Sequence, residues 1–181
     1  MAVLAYLDSR SLACELMRLG LRTSLTHEVT GVSENFLSDA WYDLKAGRPG
    51  RLRALPNLFA NRYVIQQVTA FMYCLVGCLA LKRSESAKAQ ALLDAFRMFI
   101  EVRGVWVGSG RNEFTVQDAG LLFIAHRKNE LLRVSCSACR APAWVIEEAL
   151  ELVSCPVCKG GPRARLCEEI FVPRGQAREV A

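Results

Sequence analysis

Histidine is almost missing from this sequence: His27 and His126 are the only two. Neither stands in a His-x-Glu pattern ahead of a Pro-Cys-x-x-Cys, which a zinc deaminase requires. No other histidine–carboxylate or nucleophile arrangement stands out. The sequence therefore predicts no catalytic residue, no enzyme and no small-molecule substrate. It also lacks a basic arm. The formal charge is +5, and the surplus of basic over acidic residues is one for residues 1–60, three for 61–131 and one for 132–181. Such a balance permits nucleic-acid binding without arguing for it. The opening "MAVLAYLDSR" has neither a basic n-region nor an apolar run of export length, so no signal peptide is expected. That reading places the chain in a reducing cytoplasm, where paired cysteines serve as metal ligands more often than as disulfides. Repeats and low-complexity tracts are absent. The glycine-rich "GVWVGSGRN" at 104–112 has neither the spacing of a dinucleotide fingerprint nor the lysine of a phosphate-binding loop, and reads as a connector.

Long apolar runs are rare as well, with one exception. "YVIQQVTAFMYCLVGCLAL", Tyr63 to Leu81, is long enough to span a bilayer. Gln66, Gln67 and Thr69 interrupt it, and no other membrane signal accompanies it. The expected form is a buried helix over about 61–83, with no membrane association. Around it the chain reads as helices. With 181 residues, 52% of them hydrophobic, it can bury a core without disulfide staples. Residues 8–20 predict a short helix with Leu12, Leu16 and Leu19 on one face, Ala13 and Met17 beside them, Ser9 or Ser11 at its start and Gly20 at its end. Leu25 and Val29 mark a second helix. Thr30-Gly31-Val32-Ser33 reads as a turn with a capping serine, and Phe36, Leu37, Ala40, Trp41 and Leu44 as a third helix. Together, about 8–46 form a helix-turn-helix-like segment, a pattern shared by major-groove readers and plain packing units. Gly47–Asn57 is a connector. Residues 84–104 are helical, with Leu92, Leu93, Phe96, Phe99 and Ile100 inward. Thr115 and Asp118 sit at capping-box spacing at the head of a helix expected to run to the first cysteine pair.

Cysteine, by contrast, is abundant: eight residues, four of them in "CSACRAPAWVIEEALELVSCPVC". Cys136 and Cys139 are two residues apart, as are Cys155 and Cys158, and fifteen residues separate the pairs. A two-residue spacer lets a tight turn aim both sulfurs at one point, and two such knuckles supply four thiolates to a tetrahedral zinc ion. The spacer is expected to form a hairpin or loop, with Trp144, Val145 and Ile146 on one arm and Leu152 and Val153 on the other. Gly160 and Gly161 would let the chain turn after the second knuckle. Four protein ligands close the coordination sphere, so one structural Zn²⁺ is expected. Cys74 and Cys78, four apart on the apolar helix, read as small core residues, as does Cys14. Cys167 reads as a spare thiol, with a redox partnership to a ligand as the alternative.

The order of these features carries a resemblance. "LACELMRLGLRTSLTHEVTGVSENFLSDAWYDL", Leu55-Pro56, "ALLDAFRMFIEVRG" and the closing "SCSAC…SCPVC" together resemble the FlhC family, subunits of a bacterial flagellar transcription activator. The similarity runs loosely from about residue 10 to about 165. It implies a mainly α chain: a helical domain over 1–131, a small four-cysteine zinc-ribbon-like module over 132–166 and a tail over 167–181. It implies a hetero-oligomer with a small helical FlhD-like partner, binding to promoter DNA and activation of flagellar operons. It also implies Cys136, Cys139, Cys155 and Cys158 as the zinc ligands. One departure matters. The family's third helix is rich in arginine and lysine, whereas here "ENFLSDAWYDLK" sets Glu34, Asp39 and Asp43 against Lys45 alone, and acidic groups repel phosphate. Phosphate contacts are therefore expected from Arg48, Arg51 and Arg53, and from Lys159, Arg163 and Arg165. Two alternatives remain: a zinc-stabilised docking module without operator binding, and a thiol-based redox sensor.

Overall fold

A computed structural model describes residues 2–44, 52–60, 62–106, 114–149, 155, 157–158 and 166–168. Within these residues the protein is mainly helical, with six α-helices followed by a small antiparallel sheet.

The first helix, α1, spans Ala2–Arg18. It passes through Ser9 and Ser11, so neither caps its start. Gly20, at φ +100°, ends the turn that follows, a backbone region open to glycine. The helix is packed on two sides. Leu12 and Leu16 enter the main core, while Ala13 and Met17 enter a second cluster with Val32, Leu37 and Ala40. Leu19, expected on the inner face, is 44% exposed: it lies past the end of α1, where helical spacing no longer applies.

Helix α2, Thr23–Thr30, buries Leu25 and Val29 and ends on Gly31 at φ 71°. Helix α3, Glu34–Asp43, follows at once. Ser33 holds the N-cap position but makes no side-chain cap bond. The turn is instead tied by His27, whose Nδ1 lies 2.8 Å from the Val32 carbonyl oxygen. Leu37 and Ala40 face inward, and Glu34, Asp39, Tyr42 and Asp43 face out.

Part of the expected connector is structured. Leu55–Leu58 forms a single 3-10 turn opened by a proline, and Leu58 and Phe59 are buried in the main core. Helix α4, Arg62–Leu79, and helix α5, Glu85–Trp106, form a hairpin at the centre of the molecule. α5 continues through Gly104, so the glycine-rich connector starts later than expected; 107–113 lie outside the described residues. Phe71 and Phe99 meet edge to face, and Phe114 packs on both, which fixes the strand of chain leading into α6. Leu92, Leu93, Phe96 and Phe99 are buried as expected, but Ile100 is 42% exposed. No described helix is long and apolar enough to cross a membrane. The polar Gln67 of α4 has a use inside the fold: buried, it accepts the Phe114 N–H at 3.1 Å through Oε1.

Helix α6, Val116–Arg127, begins with a complete capping box. Asp118 Oδ2 accepts the Thr115 N–H at 2.8 Å, and Thr115 Oγ1 accepts the Asp118 N–H at 3.3 Å. Gly120 lets α6 close on the α1–α2 corner, since a Cβ there would stand 2.7 Å from Leu21 Cδ1. The helix stops well short of the cysteines. Lys128 caps it, Asn129 turns left-handed at φ 57°, and the chain enters a strand. Asparagine tolerates that conformation better than most residues.

The sheet has the order β2-β1-β3, with β1 at Leu132–Cys136, β2 at Pro142–Val145 and β3 at Leu166–Glu168. All pairings are antiparallel. Val134 lies opposite Ala143, and Cys136 opposite Leu166. The expected hairpin between the cysteine pairs is therefore displaced: Trp144 and Val145 pair back to residues before Cys136. Leu152 and Val153 lie outside the described residues. Position 167, where the tail was expected to start, falls inside β3.

The boundary expected at 131/132 coincides with the change from helix to sheet, but the apolar core runs across it. Val134, Ala143, Trp144, Val145 and Ile146 belong to the same buried cluster as Phe71 and Leu92. Trp144 meets Tyr73 of α4 edge to face at 4.9 Å, and that contact seats the sheet on the helices.

Candidate metal centre

The first knuckle is the turn of the β1–β2 hairpin. β1 delivers Cys136 at its end, the chain reverses through Ser137, Ala138 and Cys139, and β2 begins at Pro142. Two backbone bonds lock the reversal: Cys136 N–H to the Ala141 carbonyl at 3.0 Å, and Arg140 N–H to the Cys136 carbonyl at 2.9 Å. Arg140 adopts φ 60°, a left-handed conformation that costs a residue with a Cβ about 1 kcal/mol. The second knuckle brings Cys155 and Cys158 over the first, and the Val157 N–H points at Cys155 Sγ from 3.4 Å.

The four sulfurs converge. All lie within 4.8 Å of one another. Cys136 and Cys158 are 3.7 Å apart, and Cys139 and Cys155 are 3.6 Å apart. A tetrahedron with metal–sulfur bonds of about 2.3 Å has sulfur–sulfur edges of about 3.8 Å. The two shorter separations are close to such an edge and far exceed a disulfide bond of about 2.05 Å; all four cysteines are free thiols. Cys136 and Cys155 are buried, and Cys139 and Cys158 are exposed. The centre therefore sits at the rim of the core, rooted on one side and open to solvent on the other.

Electrostatics favour a cation at this point. The backbone N–H of Cys139, helped by that of Ala138, holds the Cys136 thiol down at about 6. Burial pushes Cys155 up to about 12. Cys136 and Cys155 therefore do not ionise together near neutral pH. A divalent ion among them removes that conflict and lets all four act as ligands.

Other sequence-predicted residues are placed as follows. Cys74 and Cys78 are half-buried on α4 against the main core, and Cys14 is half-buried against the second cluster. Cys167 lies in β3, in register with Ser135. Arg53 is turned inward: its guanidinium lies 3.7 Å from Asp118 Oδ2, and that carboxylate is only 2% exposed. Arg48, Arg51, Lys159, Arg163 and Arg165 lie outside the described residues, as does Lys45. Sequence reasoning missed the Arg53–Asp118 pair and the seat of Trp144 on Tyr73. The capping-box spacing pointed to Asp118, but nothing local pointed to its distant partner.

Fold and site together define a class: a mainly helical protein with a small sheet beside a cluster of four cysteines spaced closely enough to hold a metal ion. Compared with family models and with curated proteins, the sequence matches neither a family model nor a curated relative.

Proposed function

We propose that this protein is a cytoplasmic, zinc-bearing, DNA-binding subunit of a transcriptional activator. It resembles the FlhC family, works with a FlhD-like helical partner on flagellar promoters, and has no catalytic role. The observation that carries the reading is the convergence of Cys136, Cys139, Cys155 and Cys158, their sulfurs within 4.8 Å of one another, after a helical body. An all-sulfur tetrahedral set suits zinc, and four protein ligands leave no open position for chemistry, so the ion is structural. Its task is to hold the two knuckles, and with them β1 and β2, against α4. The resemblance set out above supplies the partner and the promoter.

Gel-shift titration on flagellar promoter fragments, with and without a FlhD-like protein, tests this. A shift that needs the partner and weakens steeply between about 50 and 200 mM salt is expected. Absence of any salt-sensitive shift in both arms refutes DNA binding.

Two observations favour a second reading, a docking subunit that leaves DNA contact to its partner. The outer side of α3 carries Glu34, Asp39 and Asp43, all exposed. Arg53 is engaged with a buried carboxylate inside the fold. On this reading the partner binds the chain while DNA does not.

A further inference from the structure

The two knuckles treat their sulfurs unequally. In the first, the backbone N–H groups of Cys139 and Ala138 point at Cys136. In the second, those of Cys158 and Val157 point at Cys155. Cys136 and Cys155 are also buried, while Cys139 and Cys158 are exposed. Each knuckle thus shields its first sulfur and shows its second to solvent. The close approaches then cross between the knuckles. Exposed Cys158 Sγ lies 3.7 Å from buried Cys136 Sγ, and exposed Cys139 Sγ lies 3.6 Å from buried Cys155 Sγ.

A ligand sulfur is a thiolate, and the thiolate is the species that an oxidant attacks. Cys139 and Cys158 are the two that a small oxidant reaches without entering the core. Zinc itself exchanges no electrons. We propose that the centre is a redox switch: a peroxide-class oxidant attacks Cys139 and Cys158, the zinc ion leaves, and the disulfides Cys139–Cys155 and Cys136–Cys158 take its place.

The steps balance. The peroxide O–O bond breaks, one oxygen passes with its proton to the Cys139 sulfur as a sulfenic acid, and the other leaves as hydroxide. The Cys155 thiolate attacks that sulfur, the S–S bond forms, the S–O bond breaks and a second hydroxide leaves. Cys158 and Cys136 repeat the sequence with a second peroxide. Each pair gives up two electrons, and each peroxide is reduced to two hydroxides. The sulfurs close from 3.6 and 3.7 Å to about 2.05 Å. Loss of the thiolates frees the ion as its hydrate. Because both new bonds run between the knuckles, the oxidised chain keeps the staple that chelation removes. A dithiol reverses the change by exchange, after which zinc rebinds. The inference rests on the zinc reading above and extends it from holding the fold to answering an oxidant.

Zinc is first measured in the reduced, purified full chain. Hydrogen peroxide is then added in slight excess, and freed zinc is followed with a chromogenic chelator. Trypsin, used without reduction, leaves Cys136 and Cys139 on 134–140 and Cys155 and Cys158 on 141–159. Loss of about one zinc per chain is expected, with the two peptides recovered joined. Partial reduction with stepwise alkylation should assign the pairs as Cys139–Cys155 and Cys136–Cys158. A dithiol plus zinc should restore the starting metal content, and the oxidised chain should melt above the stripped, reduced one. Zinc that stays bound under peroxide overturns the inference and leaves the zinc reading intact. So do disulfides confined within each knuckle, a disulfide that takes in Cys167, or oxidation of Cys139 and Cys158 that no dithiol reverses. A reduced chain without zinc refutes the zinc reading and this inference with it.

Discussion

Arg140 shows how the candidate centre constrains single residues. It is in a left-handed conformation because the chain must turn out of the first knuckle and back into β2 within three residues. Glycine adopts that conformation without a Cβ clash. Arg140→Gly is therefore expected to stabilise the metal-loaded protein by about 0.5–1 kcal/mol, the relief being offset in part by a more flexible unfolded chain. Chemical denaturation with metal present measures it, and a loss of stability would contradict the strain. His126 gives a second residue-scale expectation. Burial pushes its imidazole below the ordinary value of 6.5, so the unfolded chain takes up the proton first. Its contribution to stability is complete above that value and is lost as the pH falls through it. Between about pH 7.5 and 5.5, the melting temperature should fall less in His126→Gln than in the parent. Equal falls would mean that His126 is not the group responsible. At this scale the convergence of Cys136, Cys139, Cys155 and Cys158 is legible, because a two-residue spacer leaves a turn little freedom. The place of Arg53 is not: its charge suggests a phosphate contact, and only the fold sets it beside Asp118.

Among the elements, α4 joins sequence and packing most tightly. Its Gln67 looks like a flaw in an apolar run, yet it accepts the backbone N–H of Phe114 in the core. Gln67→Leu adds apolar surface but strands that N–H. The substitution should destabilise the protein by about 1–3 kcal/mol in a urea titration, although leucine is the more hydrophobic residue. A neutral or stabilising outcome would show that the bond contributes nothing. The helices were read well where apolar residues recur at helical spacing, as in Leu92, Leu93, Phe96 and Phe99. They were misread at the ends. The helix expected to run to the first cysteine pair ends at Arg127: Asn129 breaks it, and pairing of Val134 with Ala143 holds the strand. That pairing is tertiary and leaves no local trace. The hairpin was sought between the cysteine pairs, whereas the first knuckle is itself the hairpin turn.

For the molecule as a whole, the sheet is no separate appendage. Trp144, Val134 and Ile146 share one buried cluster with the helical hairpin, and Tyr73 joins the two parts through its ring contact with Trp144. Loss of the ion should therefore loosen the body of the protein as well as the knuckles. The measurement that tests this account most directly is the metal content of the purified chain by elemental analysis, paired with thermal melting before and after chelation. About one zinc per chain is predicted, with loss of zinc in Cys136→Ser and a lower, broader melt once the ion is stripped. A chain that carries no stoichiometric metal and melts identically with and without chelator would contradict the central claim, that four converging sulfurs hold one ion.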